Sequence, residues 1–362
     1  MNPHLLGLMT HKIGSPGRFS RHADAALDAG FSGVILFTPA GVHVERGTVT
    51  GYVRQGRSPW RKQSAAHPPV AIDLGYYTTP LTNRQVFRVK NRTRIQFTGH
   101  GLGNKWTIQN HLLASPLLAS HLLPTKPMDS VDDAIAYARE HEAIMIKPIN
   151  GKGGIGILKL CCTGSAYRLH ENRKPALSGG PGTIRAALRR ARRKGGYLLQ
   201  RWIDIRNPEG RVFDVRVLMQ KDGTGQWETS GMAIREGSAN SITSNLKSGG
   251  RAHEVAAYLN RLFPSDKADA LMEKLCELSV YIPPYLEERY GRRLADLGLD
   301  FAIDRSGCLW LLEVNIKPGK AVIRQVYGEE AARRCFLMPF REARRLALSA
   351  TATGDERSAL PL

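Results

Sequence analysis

The sequence predicts a mixed α/β (α+β) protein, and three observations carry that prediction. Amphipathic helix stripes alternate with short apolar strand runs along most of the 362 residues. A strand, a glycine-rich loop and a second strand follow one another in AIMIKPINGKGGIGILKL, residues 143–160. Further on, DFAIDRSGCLWLLEVNIKPG, residues 300–319, reads as two greasy strands around a turn, yet it carries Asp300, Glu313 and Asn315.

Taken in order, residues 1–100 form an N-terminal α/β unit. LLGLMT reads as a strand, RFSRHADAALDAG as an amphipathic helix ending at Gly30, and FSGVILFTP and PPVAIDLGYY as further strands. A second unit, 101–200, opens with the helix NKWTIQNHLLAS. It continues with the helix SVDDAIAYAREH, whose Ser130-x-x-Asp133 pattern is a capping signal, and then with the glycine loop. The stretch TIRAALRRARRKGG, 183–196, has a helix stripe at Ile184, Ala187, Leu188 and Ala191, with Thr183 available as a cap at its start and Gly195 at its end. Its arginines fit either a solvated face or an anion-binding face. A third unit, 201–345, is strand-rich over 211–236, helical around 252–290, and closes with the carboxylate-bearing hairpin. Residues 346–362 read as a tail, loose over the last dozen.

Composition narrows the class. With 42% hydrophobic and 23% charged residues, the chain has ample material for a core. Five cysteines without a CxxC pair fit a reduced, cytoplasmic setting better than a disulfide framework. No apolar run reaches the ~18 residues of a membrane span, and the first residues lack the apolar core of a signal peptide. A net charge of +20 favours anionic partners: nucleotides, nucleic acid, acidic peptides or an anionic surface. Nothing in the sequence reads bases, and no aromatic residues interleave with the basic helix as single-strand stacking would require, so nucleic acid has only the charge in its favour.

The glycine loop matches GxGxxG at Gly151, Gly153 and Gly156, with Gly154 between. A dinucleotide loop must open a helix, whereas the apolar run ILKLCC follows here, and Walker A chemistry needs a Gly-Lys-Ser/Thr ending that is missing. A glycine hairpin remains. Its backbone can approach a ligand closely and offer N–H groups to phosphate, and Lys147 on the incoming strand supplies a point charge. In the second hairpin Glu313 and Asn315 share a strand face. If Ile303 pairs with Cys308 or Trp310, Asp300 joins that face, and three oxygen ligands converge as a hard cation such as Mg²⁺ prefers.

Together these pieces resemble the ATP-grasp superfamily over about residues 100–325, with a preceding N-terminal α/β domain. GNKW gives Lys105, similar to the first nucleotide lysine of that superfamily, and Lys147 is similar to the second. YLLQRWI, 197–203, resembles the hinge strand that reads the adenine edge, with Gln200 as its polar residue and Trp202 and Ile203 following. WETSGMAIREG, SITSNLKSGG and LWLLEVNIKPG are similar to the YheC/YheD family, a group of spore-coat-associated ATP-grasp proteins. The resemblance implies an ATP- and Mg²⁺-dependent ligase that joins a carboxylate to an amine, on small-molecule or peptide substrates, through an acyl phosphate. An ATP-binding structural or coat-associated protein without turnover is the alternative. The resemblance also implies roles for residues: Lys105, Lys147, the four glycines, Gln200, Trp202 and Ile203 toward nucleotide, Asp300, Glu313 and Asn315 toward metal, and Arg216, Arg235 and Asn245 toward the transferring phosphoryl group. Ordinary alternatives stay open. Arg216 and Arg235 also read as strand arginines, Asp214 as a turn or cap residue, Asn245 as an Asx-turn residue, and Lys317 as solvated. Either Asp204 or Glu209 could meet the ribose.

Overall fold

The structure is a computed structural model that describes residues 5–151, 153–172, 174–239, 241–244 and 249–357. Three sheets carry the described chain. In the first, Leu5–Met9 lies parallel to both Gly33–Phe37 and Val70–Asp73. Leu6, Leu8, Val34 and Leu36 bury one face beneath the helix Ser20–Asp28. This matches the strand and helix order expected of the N-terminal unit. The sheet also contains an antiparallel hairpin, Thr48–Gln55 with Arg61–Ala66, and is followed by the helix Pro80–Arg92, none of which the sequence reading anticipated. The reason is visible in their side chains: Arg61–Ala66 is polar and almost wholly exposed, and the helix buries only Val89.

The second sheet has six strands, and Ala143–Pro148 at its centre pairs antiparallel with Leu158–Thr163 and with Tyr197–Arg201. Strand alternation sends Ile144 and Ile146 to one face, where the helices Val131–His141 and Pro181–Arg192 bury them with Ile135, Ala138, Ile184 and Leu188. Lys147 therefore faces the other way. Ser130 caps its helix as the capping signal predicted, its Oγ accepting from the Asp133 N–H at 2.9 Å. The basic helix starts earlier than Thr183, at Pro181 with Gly180 as the capping position, because proline is preorganised for the first helical turn.

The third sheet is antiparallel, in the order Arg251–His253, Trp227–Glu236, Phe213–Lys221, Asp296–Ile303, Leu309–Asn315. Val215, Val217, Leu297 and Leu299 pack under the long helix Ser265–Tyr290 through Leu271, Leu275 and Leu278. The opposite face presents Asp214, Arg216, Leu218, Arg235, Gly298 and Asp300. Leu218 and Ala233 on this face meet Val322, Ile323 and Cys335 of the helix Ala321–Arg357. That helix, broken at Gly328 where φ is +83°, corrects the expected tail: it runs on to Arg357, and Leu346 and Ala347 are buried against the N-terminal sheet.

The register of the closing hairpin differs from both expected pairings. Ile303 opposes Leu309, and a bulge between Leu311 and Glu313 then shifts the ladder by one residue. Without the bulge, Asp300 would oppose Leu312, and Glu313 would point into the core. The extra residue restores the phase, so that Asp300 opposes Glu313 directly and Gly298 opposes Asn315. Burial records the slip: Leu309 and Leu311 are buried, then Val314, with Leu312 and Glu313 both half-buried between.

Candidate functional site

The second and third sheets face each other across a cleft bridged by the helix Lys105–Leu113. The side chain of Asn104 caps that helix, accepting from the Thr107 N–H at 3.0 Å, and the backbone N–H of Lys105 donates to the Ile149 carbonyl at 3.4 Å. Lys105, Lys147, Gln200, Thr125 and Glu313 line the cleft together with an apolar slot that includes Ile108, Leu122, Leu198 and Leu311. It holds about 470 Å³ of atom-free space, its open mouth included. The Leu311 N–H donates to the His121 carbonyl at 2.8 Å, which fixes the floor of the cleft to the closing hairpin.

Lys147 donates to Gln200 Oε1 at 2.5 Å, and Gln200 Nε2 donates to Thr125 Oγ1 at 3.0 Å. A neutral amide offsets little of the cost of desolvating an ammonium. Burial accordingly pushes Lys147 down to about 8, with Lys105 lowering it further and Glu313, Asp300 and Asp214 opposing. Lys105 forms an ion pair with Glu313 Oε1.

Behind this pair lies a buried ionic network. Arg216 grips Asp300 with Nε on Oδ1 and with Nη2 on Oδ2, the latter at 3.0 Å. Arg235 grips Asp214 at 2.7 and 2.5 Å and reaches Asp300 Oδ2 at 3.1 Å. Ser244 Oγ donates to Asp214, and Asn315 Nδ2 donates to Asp300 Oδ2 at 3.2 Å. Burial alone would raise the Asp300 pKa, but the two guanidinium groups outweigh it and hold that carboxyl well below the usual carboxylate range. Gly298 is required by this packing: a Cβ there would come within 2.7 Å of Pro318 and 3.3 Å of Arg216 Nη1.

The structure thus brings Lys105, Lys147, Gln200, Arg216, Arg235, Asp300, Glu313 and Asn315 together. It adds Asp214, Ser244 and Thr125, of which only Asp214 had any signal in the sequence. Trp202 and Ile203 follow directly on the strand Tyr197–Arg201 that carries Gln200. The Trp202 N–H is used by the Ala143 carbonyl at 3.1 Å, and its indole lies under the Lys159 ammonium, 3.4 Å from the ring centre. Gly153, Gly154 and Gly156 adopt φ values of +66°, +74° and +77°, which only glycine accepts readily, and a Cβ at Gly151 or Gly156 would crowd Pro148. The hairpin tip is open, with Ile155 largely exposed. Asn245 lies outside the described residues. Lys317 is neither solvated nor aimed into the cleft. It bonds Asp73 at 3.1 Å and the Gly75 carbonyl, tying the loop after Asn315 to the N-terminal sheet. Asp204 is held by Arg206 at 2.7 Å and by Arg305 at 3.0 Å.

The donor chemistry suits the groups that the fold implies. Asp300, Glu313 and Asn315 offer oxygens from adjacent strands, as a hard cation needs. Among the described residues no group of three His, Cys, Asp or Glu side chains is placed to hold a metal, so a cation here would draw on the Asn315 oxygen, water or phosphate beside the carboxylates. An apolar slot with lysines beside it suits a planar base followed by phosphates.

An antiparallel sheet with a lysine strand and glycine hairpin, facing a second sheet that presents acid and amide side chains across a cleft, is the architecture of an ATP-grasp protein. D-alanyl-alanine synthetase A from Vibrio cholerae aligns over 94% of this chain and 99% of its own, with a TM-score of 0.56 and 14% identity. D-cycloserine synthetase DcsG aligns over 96% and 99%, with a TM-score of 0.53 and 12% identity. The chain belongs to the YheC/D like ATP-grasp family, whose model matches residues 94–346. Among curated proteins it is 25% identical to the endospore coat-associated protein YheC of Bacillus subtilis, over 82% of this chain and 83% of that one. It is 24% identical to YheD of the same organism, over 78% of this chain and 63% of that one.

Proposed function

We propose that this protein is an ATP- and Mg²⁺-dependent ligase that joins a carboxylate to an amine. The observation that carries the reading is the meeting, in one cleft, of Lys105, Lys147 and Gln200 with Glu313, whose strand neighbours Asp300 and Asn315 add oxygen donors directly behind it. The synthetase names of two structural neighbours agree with it. In this reading the carboxylate oxygen bonds the γ-phosphorus and ADP departs. The amine then attacks the acyl carbon, so that an amide forms and phosphate and a proton leave.

Lys105 and Lys147 neutralise the phosphates and orient them for in-line transfer, which needs positioning and charge more than covalent help. The 151–156 hairpin folds over the polyphosphate and keeps water from the acyl phosphate. Arg235 and Arg216 stabilise charge on the transferring group or on the substrate carboxylate, with Asn245 assigned to the same region. Asp300, Glu313 and Asn315 would hold Mg²⁺, which supplies charge neutralisation at the phosphate oxygens. A second reading, a coat-associated protein that binds ATP without turnover, is favoured by the coat association of both curated relatives.

Calorimetry of ATP with Mg²⁺ and with EDTA tests the nucleotide; absence of binding in both would remove either reading. ADP release against pooled amino acids, peptides and acidic metabolites, with mass detection of products, separates the two. A substrate-dependent amide product establishes the ligase, and bound ATP with no product from any pool supports the passive binder.

A further inference from the structure

Three carboxylates meet four cations in the site: Asp214, Asp300 and Glu313 against Arg216, Arg235, Lys105 and Lys147. The cluster is therefore positive before any metal arrives. Asp300 is fully engaged, with Oδ1 taken by Arg216 and Oδ2 shared by Arg216, Arg235 and Asn315. Glu313 is the more accessible acid, its side chain 33% exposed, and Lys105 already occupies its Oε1. The lysine is not loosely placed. It begins a capped helix, its own N–H is anchored on Ile149, and its side chain is only 19% exposed.

We infer that Lys105 is a positioning residue that sets the order of filling: its ammonium holds Glu313 until a polyphosphate takes the ammonium over, so a divalent cation binds well only alongside nucleotide. This rests on the nucleotide reading of the cleft. A dication entering the empty site must displace an ion pair and join a net positive cluster. In return it gains one carboxylate, an amide oxygen and water, poor compensation for a cation that gives up its hydration reluctantly. A polyphosphate reverses each term. It brings negative charge, offers Lys105 a competing partner, frees Glu313 and supplies the missing oxygen ligands. By linkage, the metal must then tighten nucleotide binding by the same factor as nucleotide tightens the metal.

The test measures Mn²⁺ binding to the full chain by electron paramagnetic resonance, with and without ADP. Wild type should bind Mn²⁺ at least about ten-fold more tightly with ADP present. Lys105→Met should bind Mn²⁺ without ADP about ten-fold more tightly than wild type does, the scale of one charge-assisted contact. Adding Glu313→Gln to Lys105→Met should abolish the gain, which locates the ion on that carboxylate. Lys105→Gln, of similar reach and uncharged, replaces the Met variant if circular dichroism shows that it is unfolded. Tight Mn²⁺ binding by wild type without ADP, or no gain on removing the lysine charge, overturns the inference. If ADP itself does not bind, the nucleotide reading fails instead, and the effect of Lys105→Met on Mn²⁺ alone still decides whether the ammonium blocks Glu313.

Discussion

Nucleotide affinity should fall as pH rises through 8, and Lys147 is the cause. Burial lowers its ammonium to about 8, and no histidine or cysteine lines the cleft among the described residues to titrate in the same range. Phosphate beside Lys147 favours the charged form and returns its pKa toward the ordinary lysine value of about 10.4. Free protein at pH 8 is half deprotonated at this position, so binding takes up about 0.5 proton. Between pH 7.5 and 9 the apparent Kd for ADP should rise about eight-fold, from the protonated fractions alone. Calorimetry of ADP in EDTA at pH 8, in two buffers of different ionisation enthalpy, reads the proton uptake directly. Lys147→Met should remove both the uptake and the pH slope while costing the charged contact, about 1.5–3 kcal/mol. The sign for stability is opposite: the unfolded chain holds this proton to higher pH, so without nucleotide the fold gains stability from about pH 8 up to the ordinary lysine range. Equal binding enthalpies in the two buffers, or a flat Kd from pH 7.5 to 9, would refute the assignment of Lys147 to phosphate.

Three further outcomes follow from the same contacts. Glu313→Gln keeps the side-chain shape but removes the charge, and it should lower turnover by about 100-fold, on the scale of losing one preorganised electrostatic partner, with an unchanged circular dichroism spectrum. Asp300→Asn takes the carboxylate charge from Arg216, leaving Arg235 with Asp214, and should destabilise the fold by about 3–5 kcal/mol in urea titration. Lys317→Met removes a donor from the buried Asp73 carboxylate, which keeps Lys90 at 2.8 Å, so the loss in urea should be smaller, about 1–3 kcal/mol.

What was legible in the sequence was what local pattern controls. Lys105 could be placed because GNKW reads as a helix start and resembles the site of the superfamily's first nucleotide lysine, and Lys147 because strand, proline and glycines fix where its strand ends. The facing of Asp300 and Glu313 was anticipated, but by the wrong route. The bulge at Leu312 depends on how two strands twist against each other, and no residue in LWLLEVN announces it. Lys317 was illegible for a related reason: its partners Asp73 and Gly75 lie more than 240 residues earlier, and only the packing of the N-terminal sheet against the closing loop brings them to it. The C-terminal helix is not foreseen in the sequence, and 346–362 reads as a tail, because its polar turns look solvated, whereas Leu346 and Ala347 are held by a sheet far away in sequence.

The excess positive charge divides along the faces of the second sheet. On one face Lys147 and Gln200 meet the cleft; on the other, Ile144 and Ile146 meet the helix Pro181–Arg192 through Ile184 and Leu188. That helix therefore stands on the opposite face of the second sheet from the cleft. Two of its arginines are spent locally, Arg185 on Asp132 and Arg192 on the Asp129 carbonyl. The basic charge of that helix and the cleft thus lie on opposite faces of the second sheet. The lysines and arginines proposed to act on phosphate are the few turned toward the acids of the third sheet, and the proposal depends on that pairing rather than on the protein's overall field.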